Sequence, residues 1–413
     1  MNKKSDKNHK HHAIIRVDIM AEKSIIFIVN PGSASRKYAL YIGGAKKANL
    51  HFEIVDEKVV GELEYGDNKY SERYDDANLG NAPHRTLPLL HKYKIISETD
   101  KISAIGIRIV APSKRFMQDE LVTDEVVSFL EDLSRESPLH IKTALLEIKQ
   151  LRIRFPKTPI IAVSDSAFHA TKPDYARYYA IDTKLADKLE IEKYGFHGIS
   201  ISSIVDKLKK DDVLLPKTVI CHLGSGCSVT AIENGKSVET TMGYSPLEGV
   251  VMATRSGSID VSAALAVKRE LGFSPGELEE FLFRKSGLLG LSGSSDDIRQ
   301  LIASEAKGDA RAKLALNIFV YRIQQAIGQM AASMNGISCL VFTGTVGERS
   351  SIIRGRILKR LGYLGFGISP NANENAFEPV EIANIADLSS KPILVILTDE
   401  ATELARRTEQ YIK

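Results

Sequence analysis

The sequence predicts an α/β fold with mixed sheets, built as two related halves that face one cleft. Three observations predict it. Short β-branched apolar runs alternate with longer segments of helical periodicity. A strand, a Gly/Ser turn and a second strand occur once in each half of the chain. A third apolar strand ends in a glycine turn at Gly344. With 413 residues the chain is too long for one ordinary core, so two domains are expected.

The first hairpin is Ser24-Ile-Ile-Phe-Ile-Val-Asn30, a turn Pro31-Gly-Ser-Ala-Ser35, and Lys37-Tyr-Ala-Leu-Tyr-Ile42. The second is Thr218-Val-Ile-Cys-His-Leu223, Gly224-Ser-Gly226 and Ser228-Val-Thr-Ala-Ile232. The third strand, Cys339-Leu-Val-Phe-Thr343, runs into Gly344-Thr-Val-Gly-Glu348. Such turns offer backbone N–H groups and hydroxyls to an anion. Further strands are expected at 105–110, 160–163 and 393–397. Helices are expected at 124–133, at 139–155 with Ile141, Ala144, Leu145, Ile148 and Leu151 on one face, at 312–334 before Asn335-Gly336, and at 399–411. Residues 66–90, rich in Asp, Asn, Tyr and Arg, read as an irregular surface excursion.

Composition narrows the class. Apolar residues make up 43% and charged residues 26%, as in soluble globular proteins. No apolar run approaches the ~18 residues of a membrane span. The formal charge is only +3, which argues against nucleic acid as the main partner. Cys221, Cys227 and Cys339 form no disulfide framework and match no common zinc spacing; they read as structural thiols of a reducing, cytoplasmic compartment. Residues 1–22 are polar and basic, a solvated flexible tail in which His9, His11 and His12 carry only a weak metal signal. The folded part begins near Ser24, which makes Met20 a candidate start.

Polar side chains gather at the ends of apolar strands. Arg108 interrupts Ile105-Gly-Ile-Arg-Ile-Val110; Asp165 follows Ile160-Ile-Ala-Val-Ser164; His197 lies in Lys193-Tyr-Gly-Phe-His-Gly198; Glu400 follows Ile393-Leu-Val-Ile-Leu-Thr398. Asp297 and Arg299 follow Gly290-Leu-Ser-Gly-Ser-Ser295, where Asp297 also suits a helix cap. The run 241–260 sets Arg255 just after Val250-Val-Met252, among Thr241, Ser245, Thr254, Ser256 and Ser258. An arginine at the edge of a core needs an anion, so this is the make-up of a carboxylate or phosphate pocket. Two arginines, a histidine and two carboxylates suit phosphoryl transfer, in which positioning and electrostatics carry most of the catalysis. Taken one at a time, these residues equally suit structural roles: an ion pair for either arginine, a satisfied core imidazole for His197, His169 or His222.

Several long motifs, in order from Asn30 to Glu400, resemble those of the acetate kinase family of short-chain carboxylate kinases. They are Asn30-Pro-Gly-Ser-Ala-Ser-Arg-Lys37, Asp165-Ser-Ala-Phe-His169, Tyr194-Gly-Phe-His-Gly198, His222-Leu-Gly-Ser-Gly226, the run 241–260, Ser286-Gly-Leu-Leu-Gly-Leu-Ser-Gly293 and Phe342-Thr-Gly-Thr-Val-Gly-Glu348. The resemblance implies a duplicated ribonuclease H-like fold of the actin and hexokinase type, with a central cleft. It implies domains over residues 23–169 plus 401–413 and over 170–400, and a homodimer. It implies reversible transfer of the γ-phosphoryl group of ATP to acetate, with Mg²⁺ or, alternatively, Mn²⁺. By the same resemblance Arg108, Asp165, His197 and Arg255 are catalytic. Val110, Leu139, Phe196 and Pro246 hold the acid's methyl group. Ser33, Ser35, Lys37, Gly224, Ser225 and Gly226 contact phosphates, and His222, Asp297, Arg299, Thr345 and Gly347 line the nucleotide side. Asn30, Glu400 and Asp165 hold the metal.

The chain departs from the family pattern in places. Ala111-Pro-Ser-Lys114 stands for His-Gly-Gly-Glu, Ile107 and Ile201 for histidines, Ser225 for asparagine, and Thr345-Val-Gly-Glu-Arg349 for Gly-Ile-Gly-Glu-Asn. These changes leave propionate or butyrate as alternative acids and pyrophosphate or another nucleotide as alternative donors. A catalytically weak nucleotide-binding homologue and a sugar kinase are the remaining readings.

Overall fold

The computed structural model describes residues 24–32, 35–136 and 138–413, without the side chains of 135–140. The basic tail with His9, His11 and His12, and Ser33 of the first turn, lie outside the described residues. The chain forms two mixed sheets. The first contains β1 (Ile25–Pro31), β2 (Ser35–Ile42), β3 (Ala45–Val55), β4 (Lys58–Tyr65), β5 (Asn68–Tyr74), β6 (Ala104–Ile109), β7 (Glu120–Leu121) and β8 (Ile160–Ser164), in the order β5-β4-β3-β2-β1-β6-β8-β7. The second contains β9 (Lys217–Leu223), β10 (Cys227–Glu233), β11 (Lys236–Thr240), β12 (Cys339–Thr343), β13 (Ala383–Asn384) and β14 (Ile393–Val395), in the order β11-β10-β9-β12-β14-β13.

The duplication expected from the hairpins is present in the topology. β1 pairs antiparallel with β2 and parallel with β6, which pairs parallel with β8. β9 pairs antiparallel with β10 and parallel with β12, which pairs parallel with β14. The parallel strands are apolar on both faces because helices cover both sides: β8 reads Ile-Ile-Ala-Val-Ser and β12 Cys-Leu-Val-Phe-Thr, each buried throughout.

Helices form close to where periodicity places them, at Asp124–Glu136, Pro138–Arg154, Ala310–Ser333 and Glu400–Ile412. The Ile141, Ala144, Leu145, Ile148 and Leu151 stripe is buried against the first sheet. Two expectations are corrected. Residues 66–90 are not irregular: they hold β5 and a helix, Ala82–Lys92. The third glycine segment, expected as a turn, opens a short helix, Gly344–Arg349.

Two helices join the halves. Helix Gly198–Lys210 places Ile199 in a cluster with β1 and β8, and Ile201, Ile204, Val205 and Leu208 in a cluster with β9, β12 and Ile396. Helix Glu400–Ile412 leaves the end of the second sheet and packs back on β1, β6 and β8. There Arg407 pairs with Asp119 and donates to the Ser164 carbonyl oxygen at 3.1 Å. Both helices start at the carboxyl ends of the central parallel strands, where crevices form in open α/β sheets. Among the described residues no helix is long and apolar enough to cross a membrane.

Candidate active site

Strand ends bring the central residues together. Arg108 points from β6 and donates from Nη2 to Asp165 Oδ2 at 2.8 Å and from Nη1 to Glu400 Oε2 at 3.4 Å. Asn30, at the end of β1, donates to the same Glu400 oxygen at 3.1 Å. The backbone N–H of His197 donates to Asp165 Oδ2 at 2.9 Å, and that of Gly198 to the Asp165 carbonyl oxygen at 2.8 Å. His197 is in the left-handed region, with φ of 60°. A non-glycine residue held there at the start of a buried helix is stored strain of the kind found at functional sites.

The imidazole of His197 is positioned from two sides. Its Nδ1 shares a hydrogen bond with Ser228 Oγ at 3.0 Å, and its ring lies 4.2 Å, centroid to centroid, from that of His222. His222 Nδ1 meets Ser200 Oγ at 2.8 Å, and Ser200 in turn meets Thr398 Oγ1 at 2.7 Å. His169, left structural by its sequence context, is fully buried on Ser237 and the Phe196 carbonyl oxygen.

Arg255 lies beside the β9–β10 turn. Its Nη1 donates to the Pro246 carbonyl oxygen at 3.0 Å, and its guanidinium lies 5.8 Å from the Phe283 ring centroid. Among the described residues no carboxylate pairs with it. A Cβ built on Gly226 would sit 3.0 Å from His197 Nε2 and 3.5 Å from Arg255 Nη1. The two groups therefore converge over a bare stretch of backbone.

Electrostatics separate these groups. Burial pushes the Asp165 carboxyl up, but Arg108 and the His197 N–H outweigh it and hold it below its ordinary value. Burial works against the Arg108 charge, yet Asp165 and Glu400 raise its pKa further. Burial, followed by the neighbouring His222, Arg108 and Arg255, lowers His197 far below its ordinary value, so the imidazole is neutral at pH 7. Burial lowers Arg255 to about 10, and it stays charged. The buried atoms Asp165 Oδ1 and Arg108 Nε have no hydrogen-bond partner among the described residues. An acceptor and a donor left open side by side fit a cation and an anion bound together.

The remaining sequence-derived residues fall into three groups. Ser35 and Lys37 flank the first turn, and Lys37, Asn30 and Glu400 line a cavity of about 430 Å³ with His51, Glu62 and Glu64. Gly224, Ser225 and Gly226 form the β9–β10 turn, tied to the Arg255 loop by Ala253 N–H donating to the Ser225 carbonyl oxygen at 3.2 Å. Val110 and Phe196 pack in the core of the second half, and Pro246 is buried beside Arg255. Leu139 is in helix Pro138–Arg154, but its side chain lies outside the described residues. Asp297 caps helix Ile298–Ala306 and pairs with the exposed Arg299 at 2.6 Å; among the described residues no bond ties either to the Arg108 cluster. Thr345 is exposed on helix Gly344–Arg349, with Gly347 buried against Phe342.

Three of the residues that depart from the family pattern, Ser113, Lys114 and Arg349, are held by acidic partners. Lys114 pairs with Glu192 at 2.9 Å, and Ser113 donates to Glu190 at 2.9 Å. Arg349 pairs with Glu378. Sequence reasoning missed Ser228, Ser200 and Thr398, single hydroxyls that no motif marks. It also missed Glu348, which accepts from Gly344 N–H at 2.8 Å and Thr398 N–H at 2.9 Å and so fixes the helix after β12.

Comparison with known proteins points the same way as the geometry. A family model described as the acetokinase family matches residues 25–406. An acetate kinase of Clostridium botulinum is 38% identical over 399 residues, spanning 93% of this chain and 98% of that protein. Among solved structures, a propionate kinase from Francisella tularensis has a TM-score of 0.85 at 33% identity, spanning 94% of this chain and 99% of that one. Porphyromonas gingivalis acetate kinase has a TM-score of 0.84 at 29% identity, spanning 94% and 100%.

Proposed function

This chain belongs to the acetokinase family, and from that premise we propose that it transfers the γ-phosphoryl group of ATP reversibly to acetate, giving acetyl phosphate and ADP. The observation that carries this reading is the pair of arginines, Arg108 and Arg255, gathered near a neutral His197. An acetate oxygen attacks the γ-phosphorus, and the bond from that phosphorus to the bridging oxygen of ADP breaks. A carboxylate is already ionised at neutral pH, so no strong general base is required.

Arg108 and Arg255 bind the acid and the equatorial oxygens of the transferring group, where a planar guanidinium fork suits both. Asp165, paired with Arg108, orients that fork. His197 donates a hydrogen bond from Nε2 to the phosphoryl oxygens, which requires Ser228 to donate to Nδ1. Val110, Leu139, Phe196 and Pro246 form the pocket for the methyl group. Ser33, Ser35, Lys37 and the turn Gly224–Gly226 take the phosphates, with His222, Asp297, Arg299, Thr345 and Gly347 toward the nucleotide.

Asp165 Oδ1, Glu400 and Asn30 would hold Mg²⁺, or Mn²⁺ in its place. The unpartnered Oδ1 and the hard oxygen donors fit it. Among the described residues no group of three or more His, Cys, Asp or Glu forms a metal cage, which suits an ion that takes few protein carboxylates and completes its shell with phosphate and water. Bound there, it would neutralise charge developing on the phosphates. We place the domains at 23–169 plus 401–413 and at 170–400, and the enzyme in the cytoplasm. It acts as a homodimer, a reading supported by helix Val261–Leu271, which has no buried residue and exposes Val261, Leu265 and Leu271.

Propionate is the second reading, favoured by the likeness to a propionate kinase; one methylene is worth only about 1–3 kcal/mol of discrimination. The test is a hydroxamate assay of acyl phosphate formed from acetate, propionate and butyrate, each with ATP, GTP and pyrophosphate plus Mg²⁺. Acetate with ATP is expected to give the highest kcat/KM. Activity confined to another pair moves the assignment to that acid or donor, and silence throughout favours a nucleotide-binding homologue.

A further inference from the structure

Two hydroxyls stand in line behind His222, and the phosphoryl-transfer chemistry above gives them no part. Ser200, fully buried on helix Gly198–Lys210, meets His222 Nδ1 with its Oγ at 2.8 Å. Thr398, between β14 and helix Glu400–Ile412, meets the same Ser200 oxygen with its Oγ1 at 2.7 Å. Thr398 is anchored by its backbone, whose N–H donates to Glu348 Oε1 at 2.9 Å. That carboxylate oxygen also accepts from the Gly344 N–H at 2.8 Å. The other ring nitrogen of His222, Nε2, has no hydrogen-bond partner among the described residues. It stands 3.8 Å from the place a Cβ on Gly224 would take, and so opens at the Gly224–Gly226 turn.

Each hydroxyl has one proton, so the line has a direction. Ser203 spends its proton on the Ser200 carbonyl oxygen at 2.8 Å. It can therefore only accept from Thr398, across 3.5 Å, which is too long for a good bond. Suppose that His222 Nδ1 carried the ring proton. Ser200 would accept it and donate to Thr398, and the Thr398 proton would have only that long bond among the described residues. With the line reversed, Thr398 donates to Ser200, Ser200 donates to Nδ1, and no donor is stranded. Nδ1 is then the acceptor, and a neutral ring carries its proton on Nε2. Burial lowers His222 below its ordinary value, which keeps the ring neutral at pH 7.

We propose that Ser200 and Thr398 are positioning residues for phosphoryl transfer, which hold His222 with its proton on Nε2 as a donor to the nucleotide's phosphates. The proposal rests on the kinase reading above and deepens it. The opposite tautomer would turn a lone pair toward the phosphates and repel them. A carboxylate behind the ring would fix the same tautomer but bring a negative charge toward the site; hydroxyls fix it without one. His197 is set in the same way, with Ser228 on its Nδ1 at 3.0 Å. The two rings, 4.2 Å apart, thus present two Nε2–H donors. Glu348 holds both Thr398 and the start of helix Gly344–Arg349, so the line also ties His222 to the nucleotide side.

The test compares Thr398→Val, which keeps the shape of the side chain and removes its proton, with Thr398→Ser, which keeps a hydroxyl, and with Ser200→Ala. NMR of protein made with isotopically labelled histidine reads which His222 nitrogen is protonated, the signals being assigned by their loss in His222→Gln. Thermal unfolding, kcat and both KM values are read on the other variants. The parent and Thr398→Ser are expected to hold the Nε2–H form. Thr398→Val and Ser200→Ala are expected to stay folded, to populate both forms, and to lower kcat about tenfold or more, with KM for acetate within about twofold of the parent. A parent in the Nδ1–H form overturns the proposal, and so does a Thr398→Val protein with the parent's imidazole signals and kcat. The imidazole signals need no turnover. A parent that holds the Nε2–H form, loses it in Thr398→Val and forms no acyl phosphate therefore supports the line of hydroxyls and removes only the acetate kinase reading.

Discussion

At the residue scale, the two arginines of the site are not equivalent, and their difference is measurable. Arg108 neutralises a carboxylate that is wholly buried, whereas no carboxylate depends on Arg255 among the described residues. Arg108→Ala is thus expected to lose activity and also about 3–5 kcal/mol of stability, the cost of an uncompensated buried charge. Urea unfolding checks this, and restoring stability with Asp165→Asn in the same chain would identify the cause. His169 gives a pH test. Burial, helped by Lys172, holds it down to about 4, against about 6.5 when unfolded. As pH falls, the unfolded chain binds this proton first. The stability tied to neutral His169 is therefore full above about 6.5 and lost as pH falls toward 4. Between pH 7.5 and 5 the parent is expected to lose about 2 kcal/mol more than His169→Gln does in urea unfolding.

At the element scale, close approaches of backbone set the site. A Cβ on Gly198 would lie 2.4 Å from the Asp165 carbonyl oxygen, so the start of helix Gly198–Lys210 can touch β8 only with glycine there. Gly198→Ala is expected to move the His197 N–H off Asp165 and to lower kcat about a hundredfold, since a shift near 1 Å can cost that much. A kcat within threefold of the parent would show that the helix start tolerates the shift. The same scale explains what was legible in the sequence. The two hairpins announced themselves through apolar runs broken by Gly and Ser, and helix Ala310–Ser333 through its length and the Asn335-Gly336 stop. β5 did not, because its inward face is Tyr70, Glu72 and Tyr74, each half-buried on an edge strand. Helix Ala82–Lys92 was hidden by Pro83 and Pro88. The helix after β12 looked like a turn because Gly344 must approach Leu223, where a Cβ would meet its carbonyl oxygen at 2.7 Å.

At the scale of the whole molecule, the fold is a duplicated α/β architecture of the actin and hexokinase type, as the similarity to solved acetate and propionate kinases shows. The sequence made these residues visible because Arg108 interrupts an apolar strand, Asp165 and Glu400 follow one, and His197 lies in the short run Tyr194-Gly-Phe-His-Gly198. Their mutual bonds, and the hydroxyls of Ser228, Ser200 and Thr398, depend on which strand ends become neighbours, and that is a property of topology alone. The two halves meet through helices Gly198–Lys210 and Glu400–Ile412, so a ligand touching both turns would draw them together. Small-angle scattering is expected to show a smaller radius of gyration with Mg-ADP and acetate than without; an unchanged radius would mean that the cleft is already closed.

The central claim is that Arg255, half-buried and without a carboxylate partner among the described residues, binds the acid and the transferring phosphoryl group. The most direct measurement is kcat/KM for acyl phosphate formation by Arg255→Ala, with circular dichroism confirming its fold. The account predicts a folded protein with kcat/KM reduced at least a thousandfold, the scale at which an arginine acts on a transferring phosphoryl group. A folded Arg255→Ala protein with nearly the parent's kcat/KM would contradict it.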